Sequence, residues 1–130
     1  MPEPTQVNQS GSDFSRSKRL LNGVQFQRVF DGAEFKVGHS HLLLLATPNS
    51  LDHPRLGLVV AKKNVRHAVD RNKVKRVARE CFRHSQRLLG SLDIIVLARR
   101  GIGELDNRQL HKLFEGSFKR LSKKAMGAKQ

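Results

Sequence analysis

The sequence AKKNVRHAVDRNKVKRVARECFRHSQR, residues 61–87, joins an apolar helical stripe to the densest positive charge in the chain. Its apolar residues have the i, i+3, i+4, i+7, i+8 spacing of a helix with one face in a core. They are Val74, Val77, Ala78, Cys81 and Phe82. The opposite face carries Asn72, Arg76, Arg79 and Arg83, flanked by Lys73 and Lys75. The pattern predicts a helix from about Ala68 to Leu88 that packs on a core and presents cations outward.

The positive charge of the chain is concentrated around this helix. Residues 55–87 contain eleven Lys/Arg and two acids, a net charge of +9 out of +14 for the whole chain. Arg79 is four residues from Lys75 and four from Arg83, so like charges repel along the helix. A helix face of mixed charge indicates simple solvation, whereas this single-signed row is destabilising unless a polyanion compensates it. Because the planar fork of arginine also suits phosphate, the stretch favours nucleic-acid binding.

Length and composition predict a single small domain. The chain has 130 residues, and none of its apolar runs approaches the roughly 20 residues of a membrane-spanning helix. The polar N-terminus does not resemble a signal peptide, and the single cysteine excludes an internal disulfide. We therefore expect a cytoplasmic protein with no membrane partner. We predict a disordered tail (residues 1–13), one nucleic-acid-binding domain (residues 14–124) and a basic C-terminal tail (residues 125–130).

Hydrophobic periodicity and turn residues predict the other elements. A short helix follows the candidate N-cap Asn22, and Asp106 with Gln109 has the spacing of a capping box before a final amphipathic helix. Strands are predicted at residues 34–38, 40–47, 56–61 and 92–98. The order is α-β-β-β-α-β-α, which predicts an α+β fold (an α/β sandwich) with a mixed four-stranded sheet packed with helices.

The sequence contains no motif that assembles a catalytic or metal site. Its eleven Asp/Glu are scattered singly, and no H-E-x-x-H, D-x-D or C-x-x-C occurs. His39 and His41 form the one close histidine pair, for which an exposed strand edge is a better interpretation than a metal site. We expect no catalytic residue and no metal ligand in the protein. Strands flank the basic helix, which also argues against a helix-turn-helix and a DNA partner.

One signature within the basic helix, R-N-x-x-K-R-x-x-R-E, is long enough to be specific. Its defined positions are Arg71, Asn72, Lys75, Arg76, Arg79 and Glu80. Further matching segments are HPRLGLVVAKKNVRHA (53–68), QFQRVF (25–30), DIIVLARRG (93–101) and LDNRQL (105–110). In these residues the chain resembles the bacterial ribonuclease P protein family, from about Phe14 to Leu121.

The resemblance implies a fold and a function. It implies that a left-handed crossover through the basic helix joins the third and fourth strands, against the usual hand. It also implies the protein subunit of a ribonucleoprotein that removes the 5′ leader from precursor tRNA. The partners would be the ribonuclease P RNA, which carries the catalysis and holds most of the Mg²⁺, and the leader itself. Composition alone leaves open a non-catalytic RNA-binding protein, such as a ribosomal protein or an RNA chaperone.

The resemblance further implies which residues bind the catalytic RNA. They lie on the basic helix and in the segment before it: Lys62, Lys63, Asn64, Arg66, Arg71, Asn72, Lys73, Lys75, Arg76, Arg79 and Arg83. Arg71 lies nearer the apolar edge of the helix, so it reaches RNA from the margin or orients a neighbour. Glu80 is expected to pair with Arg76 or Arg83 within the helix rather than to bind a metal.

A second RNA surface is implied by two phenylalanines. Phe26 and Phe30 match the short-helix phenylalanines that flank the central cleft of the family, where the single-stranded leader passes. Aromatic faces stack on bases with little sequence preference. Core packing is the alternative for both rings, and it stays open at this point. Residues 42–45 are all leucine where family clefts can carry a further aromatic, which leaves a third stacking position in doubt.

Overall fold

The structure is a computed structural model that describes residues 20–128. The predicted tail of residues 1–13 lies outside the described residues. The helices are α1 (Gly23–Gly32), α2 (Ala68–His84), α3 (Gln86–Leu89) and α4 (Asn107–Ala128), and the strands are β1 (Phe35–Gly38), β2 (Leu42–Pro48), β3 (Arg55–Val59) and β4 (Leu92–Ala98). The predicted order is confirmed, with the short α3 and a 3₁₀ turn (Ile102–Glu104) added. No helix in the described part of the chain is long and apolar enough to cross a membrane.

The four strands form one mixed sheet in the order β1-β2-β4-β3. Strand β2 runs antiparallel to both β1 and β4, whereas β3 is parallel to β4. The connection between the parallel pair contains α2 and α3. This arrangement confirms the predicted mixed sheet, and the left hand of the crossover stays a prediction.

The helices cover opposite faces of the sheet. Side chains alternate along each strand, so Leu44 and Val96 belong to the large core beneath α2 and α4, which also pack against each other. Leu45 and Ile95 point the other way and form a smaller cluster with Val29 of α1. The basic helix and the helix that carries Phe26 and Phe30 are therefore on opposite sides of the sheet.

The basic helix ends earlier than predicted. Helix α2 ends at His84 instead of Leu88, because Ser85 leaves helical geometry with φ −103° and ψ 8°. The Ser85 N–H is shared between the carbonyls of Cys81 and Phe82, which closes the last turn. A separate short helix, α3, follows and is capped by Gly90, whose φ of +63° favours glycine.

The predicted bounds of two strands, β2 and β3, are also wrong, because turns occupy residues that were predicted to be in strands. Strand β2 begins at Leu42 rather than Ser40, since the His41 N–H donates to His39 Nδ1 (3.0 Å) and forms a turn. Strand β3 spans residues 55–59 rather than 56–61, since the Asn64 and Val65 N–H groups fold back onto the Ala61 carbonyl. The histidine pair consequently lies in a turn rather than in a strand, and the Lys-Lys-Asn segment forms the turn that follows β3.

The predicted N-cap Asn22 and the predicted capping box of Asp106 and Gln109 are both confirmed, and Asn22 proves to be part of a capping box as well. Asn22 and Gln25 exchange side-chain to backbone hydrogen bonds of 2.9 and 2.8 Å at the start of α1. Asp106 and Gln109 do the same at the start of α4, at 2.8 and 2.9 Å. Helix α4 continues to Ala128, so the predicted tail from residue 125 is helical for its first four residues. These caps fix where the two helices begin, and thereby which of their side chains face the sheet.

A buried ion pair joins β3 to β4 on the α1 side of the sheet. Arg55 donates from Nε and Nη2 to the two carboxylate oxygens of Asp93, at 2.8 and 2.7 Å. Asn49 Nδ2 donates to the same carboxylate at 2.9 Å, and Asp93 is fully buried. This pair was not predicted, although an acid within the apolar run LDIIVLA was a signal for it. The ion pair therefore links the N-terminal ends of the two parallel strands, β3 and β4.

Candidate nucleic-acid interface

The α2 basic face consists of Asn72, Lys75, Arg76, Arg79 and Arg83, and all but the half-buried Lys75 are exposed. The two acids of α2 do not neutralise it. Asp70 lies 3.9 Å from Lys73 Nζ, and Glu80 lies 3.4 Å from His111 Nε2 of α4. The prediction that Glu80 pairs with Arg76 or Arg83 is therefore wrong, because the carboxylate faces the seam between α2 and α4. Within residues 20–128, no carboxylate forms an ion pair with the arginines of this face.

Two side chains of this face have lowered pKa values, mainly because packed protein atoms reduce their contact with water. Burial lowers the pKa of Lys75, and the nearby guanidinium groups of Arg79 and Arg71 lower it further. Burial also lowers the pKa of Arg79. Both shifts mean that the protein disfavours the charged form at these positions relative to water. A bound polyanion would reverse that penalty, so the face is suited to phosphate.

Two of the predicted RNA-binding cations are held within the protein. Arg71 Nη1 donates to the carbonyls of Val65 and Arg66, at 3.0 and 2.9 Å. Lys73 Nζ donates to the Leu105 carbonyl at 2.9 Å. Each side chain therefore fixes a loop beside α2, which is the orienting role that the sequence left open for Arg71. Direct RNA contact by either residue stays a prediction.

The segment before α2 forms a cationic edge of the sheet. Lys62, Lys63 and Arg66 are exposed, whereas Asn64 is half-buried and its Nδ2 donates to the Ala98 carbonyl at the end of β4 (3.0 Å). Because β3 and β4 are parallel, their carboxyl ends meet at one edge, which brings this turn beside two further exposed cations. These are Arg99 and Arg100. Neither arginine was predicted to bind RNA, although the RRG sequence that follows the fourth predicted strand was the available signal.

The α1 side of the sheet presents two aromatic rings in different environments. Phe26 and Phe30 stack with their ring centroids 6.3 Å apart and an interplanar angle of 23°. Phe26 is half-buried and lies directly over Gly57 of β3, where a Cβ would collide with its ring. Phe30 is 45% exposed. The packing interpretation therefore describes Phe26, and Phe30 is the ring that remains accessible to a base.

An aliphatic row continues from these rings across the sheet. Leu43 pairs with Leu97, which pairs with Val59, and all three are half-buried on the α1 side. This row supplies no aromatic third stacking position. It lies on the strand ends nearest Lys62 and Arg99, so an apolar surface runs directly into the cationic edge. That combination fits a single strand with bases on one side and phosphates on the other.

The closest group of possible metal ligands in the described residues lies between α2 and α4. Ligand atoms of Cys81, His111 and Glu115 lie within 4.8 Å of one another. Cys81 Sγ is 3.5 Å from His111 Nδ1. Burial raises the pKa of the Cys81 thiol to about 12, and the carboxylates of Glu115 and Glu80 add to the shift. Any metal ion bound here would have to displace the thiol proton; the contact that the structure shows is a polar one between the Cys81 thiol and His111.

Comparisons with known proteins give a consistent result. The sequence model of the family described as Ribonuclease P matches residues 14–122. The chain is 57% identical over 109 residues to the ribonuclease P protein component of Pseudomonas aeruginosa, covering 84% of this chain and 81% of that protein. The structure is similar to that of the RNase P protein of Staphylococcus aureus (TM-score 0.68, 31% identity, 82% and 94% of the two chains). It is also similar to that of the RNase P protein of Thermotoga maritima (TM-score 0.69, 29% identity, 79% and 96%).

Proposed function

The chain belongs to the ribonuclease P protein family, and from that membership we propose that it binds the RNA subunit through the α2 basic face and precursor tRNA on the α1 side of the sheet. The protein is a component of ribonuclease P, the enzyme of precursor-tRNA processing. The reaction in this proposal is endonucleolytic removal of the 5′ leader, with the catalysis carried by the RNA subunit. Its single cysteine, Cys81, is buried and forms no disulfide, which fits the reducing cytoplasm as the compartment in which the protein acts.

The observation that carries the proposal is the uncompensated arginine row. Arg76, Arg79 and Arg83 project from one helix face with no carboxylate partner among residues 20–128, while the acids of α2 are directed elsewhere. Repulsion along such a row lowers stability in the free protein and is relieved when phosphates bind. The row therefore supports an RNA-binding role rather than a structural one.

The opposite face supports the leader as the second ligand. Phe30 offers an accessible ring, the aliphatic row offers an apolar floor, and Lys62 with Lys63 offers charge at its end. None of these groups reads base edges in a fixed pattern, which suits leaders of differing sequence. The two RNA ligands then lie on opposite sides of one sheet and do not compete for the same surface.

The protein's own carboxylates support a division of labour in which the RNA subunit holds most of the Mg²⁺. Mg²⁺ in proteins is commonly bound by carboxylates together with phosphates. Here Asp93 is fully engaged by Arg55 and Asn49, and Glu80 faces His111. A protein site with two free, adjacent carboxylates is not formed by these residues. The proposal assigns phosphodiester hydrolysis to the RNA subunit because of the family membership, and the engagement of these two carboxylates supports it.

Reconstitution tests the proposal directly. The protein is incubated with precursor tRNA and Mg²⁺ at near-physiological salt, with and without a bacterial ribonuclease P RNA. Cleavage at the mature 5′ end that is stimulated by the protein and requires the RNA supports the proposal. Cleavage by the protein alone would overturn the assignment of catalysis to RNA. Tight RNA binding without stimulation would favour a ribosomal protein or an RNA chaperone instead.

Replacing Phe30 with alanine is expected to weaken binding of leader-bearing tRNA by the assembled enzyme about tenfold, within the range for loss of one base-stacking aromatic. Binding of mature tRNA should be nearly unchanged, because that ligand has no leader. Since Phe30 is 45% exposed, the folded protein should lose little stability. The measurement is the dissociation constant for the two tRNAs with the same reconstituted enzyme.

The matched control is Val24→Ala on the same helix. Val24 is 75% exposed and, like Phe30, presents an apolar side chain from α1, but it has no aromatic ring. It should change neither dissociation constant. Equal losses for the two tRNAs in the Phe30 variant, or simple unfolding, would show that this ring serves packing.

A further inference from the structure

A cationic groove lies between α4 and the turn that joins β1 to β2. Its cavity volume is about 370 Å³. The turn contributes His39 and His41, and α4 contributes Lys112 and Arg120. No carboxylate is among the lining residues. The groove therefore brings four basic side chains together without a counter-ion of its own.

The two histidines are held in place by the surrounding backbone. Their ring centroids are 5.5 Å apart. His39 Nδ1 accepts the His41 N–H, so the neutral ring carries its proton on Nε2 as a donor. Arg99 Nη1 donates to the His39 carbonyl at 3.0 Å and adds a cation behind the turn. Burial lowers the pKa of His39, and the neighbouring charges of His41 and Arg120 lower it further.

The floor of the groove is open because one helical position has no side chain. Lys112, Gly116 and Arg120 are four residues apart and share one face of α4. A Cβ built on Gly116 meets no heavy atom within 4 Å. A small anionic group can consequently enter between the lysine and the arginine. The same space accepts a substituted side chain without a clash.

The groove is linked to α2 through residues at the start of α4. Its Leu105 carries the carbonyl that accepts Lys73 Nζ, and Asn107 Oδ1 beside it accepts a hydrogen bond from Arg76 at 3.3 Å. Helices α2 and α4 also cover the same face of the sheet, opposite α1. A polyanion that lies along α2 can therefore continue over the start of α4 without crossing the sheet.

We propose that the α4 groove binds a backbone phosphate of the ribonuclease P RNA and extends its footprint from α2 across α4. This inference rests on the proposed function, because it takes the RNA subunit as the ligand of α2. The occupant is that RNA rather than the leader, since the leader surface lies on the other side of the sheet. Phosphate fits the site because every charged group that lines it is a cation or a histidine.

The decisive pair of variants is Gly116→Glu and Gly116→Gln. Both side chains have the same shape, and both favour a helix more than glycine does. The glutamate places a carboxylate between Lys112 and Arg120, where it competes with the phosphate. We expect RNA-subunit affinity to fall about tenfold for Gly116→Glu relative to Gly116→Gln, the equivalent of one charged hydrogen bond. Equal affinities for the two variants would overturn the proposal.

A second comparison covers the case in which the glutamate variant does not fold. Lys112→Ala/Arg120→Ala should lower the slope of log affinity against log salt by about one, because one phosphate contact is lost. Arg28→Ala/Lys36→Ala, which removes two exposed cations on the α1 side, should leave that slope nearly unchanged. Identical slopes for the two double variants would contradict a phosphate contact in the groove. A loss confined to leader-bearing tRNA would assign the groove to the leader and also overturn the proposal.

The outcome can be separated from failure of the proposed function. If the wild-type protein does not bind the RNA subunit, the proposed function itself is wrong. If the wild type binds and variants of the α2 basic face weaken binding while both groove comparisons show no difference, only the groove assignment is wrong.

Discussion

Replacing Arg76 and Arg79 together with alanine is expected to weaken binding of the RNA subunit about 100-fold, as the loss of two charged hydrogen bonds implies. The slope of log affinity against log salt should fall by about two, one for each lost phosphate contact. Neither arginine has a carboxylate partner in the described part of the chain, and Arg76 has only a 3.3 Å hydrogen bond to Asn107. Folding stability should be unchanged or slightly higher, because repulsion with Lys75 is relieved. Salt titrations of binding and urea unfolding measure the two effects.

The control removes the same charge from the other side of the sheet. Arg28→Ala/Lys36→Ala lowers the net charge by two but leaves the α2 basic face intact. A general loss of positive charge would affect both double variants alike. A specific phosphate-binding face predicts the large loss only for the α2 variant. If affinity is unaffected while stability collapses, these arginines are structural and the assignment of the face is wrong.

The sheet separates the two proposed RNA-binding surfaces by orienting alternate side chains to opposite sides. In β2, Leu44 packs beneath α2 and α4, whereas Leu43 and Leu45 lie on the α1 side. One strand thus underlies the proposed RNA-subunit surface through Leu44 and the proposed leader surface through the half-buried Leu43 and the buried Leu45. The cationic edge of Lys62, Lys63 and Arg99 lies where these two surfaces meet. Changes at that edge are therefore expected to affect both ligands, unlike changes at Phe30 or Arg79.

Local pattern was sufficient to predict the elements and the exposed arginines. The apolar spacing of α2 specifies which residues are buried, so the positions of Arg76, Arg79 and Arg83 on the opposite face follow from helical geometry alone. Both capping boxes are likewise local, since their partners are three residues apart. The strand order β1-β2-β4-β3 is not local, and no pattern within one segment contains it.

The features that the sequence did not reveal depend on contacts between distant segments. Glu80 is separated from His111 by 31 positions in the chain, and the choice of that partner over Arg76 depends on how α2 packs on α4. In the sequence, Lys73 is one more cation of the basic helix; only the folded structure shows that its Nζ donates to the Leu105 carbonyl. The same holds for Phe26, whose burial follows from the missing side chain at Gly57 on another element. The sign of each side chain's charge follows from the sequence, whereas the group that the side chain contacts depends on the fold.

Replacing Asp93 with asparagine is expected to lower the free energy of unfolding by about 3–5 kcal/mol. The carboxylate is fully buried and accepts three hydrogen bonds, two from Arg55 and one from Asn49. Asparagine keeps the shape but removes the charge, which leaves the Arg55 guanidinium largely buried without a counter-ion. Because small domains have only about 5–15 kcal/mol of stability, a substantial unfolded fraction should follow. Urea unfolding monitored by circular dichroism gives the free energy.

A double variant separates the cost of an unpaired charge from the value of the pair. In Arg55→Met/Asp93→Leu, apolar side chains replace both ions, so neither charge is left buried alone. We expect this variant to be considerably more stable than Asp93→Asn, even though it lacks every hydrogen bond of the original pair. Equal destabilisation by the two variants would instead mean that the hydrogen bonds themselves hold β3 against β4. Because the pair lies on the α1 side of the sheet, affinity of the folded fraction for the RNA subunit should be retained in both variants.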